Sequence, residues 1–98
     1  MPKRLIGRLQ RAIFKLHGVV TTWAESVPVR EEREGRVVWE GVVEVFDLVD
    51  HPTANRCYAW THETDDDEQR VVTVLHIAPV DSPQAAVRAA TQKGAARG

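Results

Sequence analysis

The hydrophobic pattern of this chain changes period twice, and that alternation limits what it can fold into. Over residues 3–17, Leu5, Ile6, Leu9, Ile13 and Leu16 recur at helical spacing, with Ala12 and Phe14 nearby and cations between them. This spacing lays one apolar stripe along an α-helix. Pro2 suits its first turn and Gly18 its C-terminal cap, whereas Gly7 weakens it by about 1 kcal/mol relative to alanine. From Val19 the period becomes two, the mark of strands whose alternate side chains point to opposite faces. At Ser82–Pro83, an N-cap followed by a first-turn proline, the chain returns to helix.

The alternating stretches predict strands at about 19–31, 36–48, 54–62 and 70–77. Pro28 cannot donate to a sheet ladder and marks the first strand as an edge or a bulge. "REEREGR" supplies a hairpin loop at Glu32–Arg36, "VDHPTAN" a turn and "ETDDDEQ" a solvated loop. Gly41 marks a bulge or a close approach within the second strand. With the last helix at 82–93 and a frayed tail at 94–98, the expectation is one α+β domain, residues 1–98, of order α-β-β-β-β-α. Short connections make the sheet a four-stranded antiparallel meander, with both helices expected on one face.

Which face the helices cover follows from pairing the strands across their shortest turns. Setting Glu32 opposite Arg36 and Leu48 opposite Ala54 places Val43 and Val45 beside Ala59 and Cys57, under the helices. The other face then carries Glu40, Val42, Glu44, Phe46, Arg56, Tyr58, Trp60, His62, Val72, Val74 and His76, uncovered. A contiguous apolar patch of this kind marks a contact surface. A slip of one residue between the second and third strands would exchange the two faces.

Charge is segregated along the chain. Residues 1–17 hold Lys3, Arg4, Arg8, Arg11 and Lys15 and no acid, while all fourteen acids lie between Glu25 and Asp81 against five arginines. The simpler expectation is that basic helices settle against an acidic sheet. The alternative is a basic surface for nucleic acid or anionic lipid through Arg4, Arg8, Arg11 and Lys15.

Hydrophobic residues at 43% and charged residues at 28% point to an ordered globular domain. One cysteine cannot form an internal disulfide, which fits a reducing, cytoplasmic setting. No apolar run approaches the ~20 residues that span a bilayer, and cations interrupt the N-terminal segment where a secretory leader needs a continuous apolar stretch. An arginine-rich, acid-poor organellar transit peptide remains compatible with that segment.

His17, His51, His62 and His76 fall on different elements without metal-ligand spacing, and Cys57 reads as a small buried hydrophobe. No nucleophile elbow, phosphate loop or dinucleotide fingerprint is present. A sheet displaying Tyr58 and Trp60 with Arg56 resembles, in its chemistry, the stacking platforms of single-strand RNA readers, and the element order resembles that of double-stranded-RNA-binding domains. The chain departs from both in having four strands, no RNP-like aromatic motif and no basic cluster opening its second helix.

The sequence therefore predicts a non-enzymatic protein without cofactor or metal that associates through the uncovered sheet face. The first expectation is a homodimer, or contact with another protein: Tyr58 and Trp60 as anchors, Val42, Phe46 and Val74 as packing, Glu44 with Arg56 as the orienting pair. Nucleic-acid or anionic-surface binding through the N-terminal helix is the second.

Overall fold

The computed structural model describes residues 3–63 and 69–96, so most of the acidic loop and the last two residues of the tail lie outside the described residues. Helix α1 (Lys3–His17) ends where Gly18 takes a φ of 67° and its N–H donates to the Phe14 carbonyl at 2.7 Å. A left-handed residue closing the last turn in this way is what glycine supplies most cheaply. Strands β1 (Val20–Arg33) and β2 (Arg36–Val49) form a long hairpin. Its turn is shorter than the predicted Glu32–Arg36 loop: Arg33, not Glu32, stands opposite Arg36, and the two turn residues Glu34 and Gly35 have positive φ, 53° and 79°, matching the right-handed twist of the flanking strands. Strands β3 (Arg56–Glu63) and β4 (Gln69–Leu75) complete an antiparallel sheet of order β1-β2-β3-β4, and α2 (Pro83–Ala96) follows. The α-β-β-β-β-α order and the meander are as the sequence predicts; α2 extends to Ala96, past the predicted end at residue 93.

The arrangement of faces is different. Val45 pairs with Tyr58 and Phe46 with Cys57, one residue away from the shortest-turn register. The connection after β2 accounts for this. Asp50 adopts a φ of 58°, and the His51 ring accepts hydrogen bonds from the Thr53 and Ala54 N–H groups through Nδ1. The hairpin then closes with the Leu48 N–H donating to the Asn55 carbonyl at 3.0 Å, one residue later than the shortest turn would allow. An offset of one sends every β3 side chain to the other face relative to β2.

Consequently the helices lie on opposite faces of the sheet, not on one. On one side Leu9 and Ile13 of α1 bury against Val19, Phe46, Cys57 and Ala59. On the other, Ala86 and Val87 of α2 bury against Val29, Val43, Val45, Tyr58 and Trp60. Size is complementary across both contacts: the leucine and isoleucine of α1 meet small Cys57 and Ala59, and the alanine-rich face of α2 lets the helix approach Tyr58 and Trp60. A bulge between Trp23 and Glu25 turns Trp23 toward the α1 side, where it packs with Phe46.

Most of the predicted uncovered face is therefore interior. Phe46 is 0%, Tyr58 1%, Trp60 3% and Glu44 3% exposed, and Val72 and Val74 are half-buried against the α2 cluster. Both faces of the central strands are apolar, and a sheet of that composition is stable only when both are covered. Since Trp60 is a core side chain, Trp60→Ala should cost about 3–5 kcal/mol of stability. Urea denaturation measures this; a loss under about 1 kcal/mol would mean that the indole is not part of the packed interior.

Candidate functional site

Two surfaces carry chemistry. The first is the outer side of α1. Arg4, Arg8, Arg11 and Lys15 are all exposed, and their spacing places them in one stripe about 16 Å long. The helix has no acidic residue, and its apolar side buries Leu9 and Ile13 on the sheet while Phe14 and Leu16 stay exposed. For Arg4, Arg11 and Lys15, the predicted settling against sheet carboxylates is not what the ion pairs show. Among the described residues, Arg30 pairs with Glu32, Arg56 with Asp47 and Arg88 with Glu31, whereas Arg4, Arg11 and Lys15 pair with no carboxylate. It is α2 that follows the intramolecular expectation: buried Glu31 accepts from both Gln84 and Arg88. Beside the stripe, exposed Phe14 lines a shallow groove of about 570 Å³ with Val19 and Val20.

The second surface arises where the sheet divides. β2 and β3 pair only over Glu44–Asp47 and Arg56–Ala59. Beyond Glu44, β2 continues with β1 and β3 continues with β4, and the two ribbons part. The gap is a cleft of about 480 Å³ whose lining includes Leu5 and Leu9 of α1, Trp39 and Trp60, and Glu40 and Glu44. The two indoles lie 5.7 Å apart between ring centroids, tilted by 56°. Trp39 lies along its own strand over Gly41, where a Cβ would stand 2.9 Å from two ring carbons. The close approach that Gly41 signals is therefore that of a side chain two residues away.

Of the predicted contact residues, only Glu40, Val42 and His62 are exposed, and they lie together at this cleft. Glu44 lines it from within. Its Oε1 accepts from Trp23 Nε1 at 2.9 Å and from the Ser26 hydroxyl, in place of the predicted pairing with Arg56, which bonds Asp47 instead. Leu5, Leu9, Trp39 and Thr61 were not singled out by sequence reasoning. The signal was a mismatch of length: fourteen residues of β2 cannot all pair with eight of β3.

The remaining reactive side chains do not converge. The Tyr58 hydroxyl and His76 Nδ1 share a hydrogen bond of 2.6 Å, and burial pushes the phenol above its ordinary pKa. His17 Nε2 lies 2.9 Å from the Thr73 hydroxyl; burial, then the neighbouring His51, lowers its pKa. Burial pushes the Cys57 thiol up to about 12. Among the described residues no three His, Cys, Asp or Glu side chains are grouped to hold a metal, and no helix is long and apolar enough to cross a membrane. No family model matches the chain, and no curated protein or solved structure is significantly similar to it.

Two consequences are measurable. Gly41→Ala must push the Trp39 ring aside and should cost about 1–3 kcal/mol, most of it absent in a Trp39→Ala background. Denaturation of the four members of that cycle gives the coupling. Cys57, with only about one part in ten thousand as thiolate at pH 8, should resist iodoacetamide in the folded protein and react at once in denaturant. Alkylation at the rate of a free thiol without unfolding would contradict its burial.

Proposed function

We propose that this protein binds the phosphate backbone of nucleic acid through the outer stripe of α1. The observation that carries this reading is the alignment of four exposed cations, Arg4, Arg8, Arg11 and Lys15, on a helix with no acid. Evenly presented guanidinium and ammonium groups suit a polymer of regularly spaced negative charge. Contacts of this type set affinity and register without reading bases, so the binding is expected to be indifferent to sequence. A phosphate backbone is favoured over a lipid surface because the centre of the apolar side of α1, Leu9 and Ile13, is already buried on the sheet and leaves Phe14 and Leu16 exposed. An amphipathic helix that lies in a membrane needs that side free.

The aromatic residues that resemble a stacking platform do not contribute to this reading, since Tyr58 and Trp60 are interior. Nor does the sheet supply a bare docking face for self-association, because α2 covers it. The turn end of the β1–β2 hairpin gives no comparable basic stripe, because Glu31, Glu32 and Glu34 balance Arg30, Arg33 and Arg36 there.

Fluorescence anisotropy with a labelled 20-base-pair duplex tests the proposal. With three to four phosphates neutralised, log K should fall against log salt with a slope of about −3, a loss of roughly 60-fold between 50 and 200 mM. Arg11→Ala and Lys15→Ala should each reduce the magnitude of the slope by about 0.9 and weaken unrelated sequences equally. Binding unchanged between 50 and 300 mM salt, or unaltered by both substitutions, would overturn it.

A further inference from the structure

The cleft between β2 and β3 has a chemical character of its own, independent of the α1 stripe. Its walls are apolar: the tilted pair Trp39 and Trp60 on the sheet, with Leu5 and Leu9 closing it from α1. Two carboxylates enter the same space, Glu44 from within and Glu40 from the exposed rim. We propose that this cleft is a binding site for an organic cation, an ammonium group carried on an apolar body.

The buried carboxylate is the first argument. Glu44 is 3% exposed, yet among the described residues no Lys, Arg or His pairs with it. Two neutral donors, the Trp23 indole and the Ser26 hydroxyl, reach the same oxygen, Oε1. Carboxylates are rarely withdrawn from water to this degree without a counter-charge, because desolvation of the ionised form is costly. A ligand cation would supply that charge and a charge-assisted hydrogen bond to the other oxygen.

The walls give the second argument. Indole faces attract cations through the ring quadrupole, and tryptophan does so most strongly of the aromatic residues. Two indoles set at an angle beside two carboxylates present negative potential from several directions, while Leu5 and Leu9 offer surface for a hydrocarbon body. An anion would meet repulsion from Glu40 and Glu44 with His62 alone among the lining residues to offset it, and a neutral molecule would leave the carboxylate charge uncompensated. The cleft volume of about 480 Å³ falls within the range of small-molecule sites.

The test is a titration of the whole protein with n-hexylammonium, hexan-1-ol and hexanoate, each carried to about 10 mM and followed by the tryptophan indole N–H resonances in proton–nitrogen NMR. Hexylammonium should give saturable shifts of the Trp39, Trp60 and Trp23 indoles and bind at least about tenfold more tightly than hexanol, with hexanoate weaker still. Glu44→Gln keeps an acceptor for Trp23 and Ser26 and should erase most of the preference for the cation over the alcohol. Glu40→Gln lies at the exposed rim and should lower that preference severalfold without disturbing the fold. Equal affinity for amine and alcohol, a preference that survives both substitutions, shifts confined to the Phe14 groove, or no saturable response to any of the three would each overturn the proposal.

Discussion

The pairing of Val45 with Tyr58 and of Phe46 with Cys57 is the constraint on which the rest of the molecule depends. It is set locally, by a turn in which Asp50 takes a left-handed conformation and the His51 ring gathers two backbone N–H groups. Because side chains alternate along a strand, this single offset decides that the small residues of β3 join Phe46 and the large ones join Val43 and Val45. Each face then presents a surface fit for one kind of helix. The bulky stripe of α1 fills the side with Cys57 and Ala59, and the alanines of α2 approach the side with Tyr58 and Trp60. The hydrophobic effect supplies the driving force for both contacts, but it does not choose between the registers; the turn does.

Much of this was legible in the sequence. The helix α1, its glycine stop, the four strands, their order, the β3–β4 register and the Ser82–Pro83 helix start all follow from hydrophobic period and local capping chemistry, which act over a few residues. The register of β2 against β3 did not follow, because the shortest turn is a poor guide when a histidine side chain stands in for backbone acceptors. The error spread: with the faces exchanged at β3, Tyr58 and Trp60 looked exposed, and α2 was assigned to the wrong side. The bulge that turns Trp23 over was equally silent, since Ala24 carries none of the usual marks of one. Of the predicted contact residues, Glu40, Val42 and His62 remain accessible for a reason unrelated to the one given, namely that β2 outruns its partner.

Charge is segregated along the chain, as the sequence shows, but among the described residues Arg4, Arg11 and Lys15 pair with no sheet carboxylate. Helix α2 does bring Arg88 and Gln84 onto a buried glutamate. Helix α1 instead buries Leu9 and Ile13 and turns Arg4, Arg11 and Lys15 outward, so the two ends of the chain, alike in sign, are used differently. One stitches the fold together, and the other gives the surface its most basic edge.

The divided sheet has a mechanical corollary. Along the gap no ladder ties the β1–β2 ribbon to the β3–β4 ribbon, but α2 lies across β1, β2 and β4 and is fastened to the far ribbon by Glu31 and by the Arg33–Thr91 hydrogen bond. Helix α1, in contact with β1 and β4, spans the same gap from the other side, so both helices hold together ribbons that share only the short Glu44–Asp47 ladder. Cohesion across the divide is therefore a matter of side-chain packing rather than of main-chain pairing.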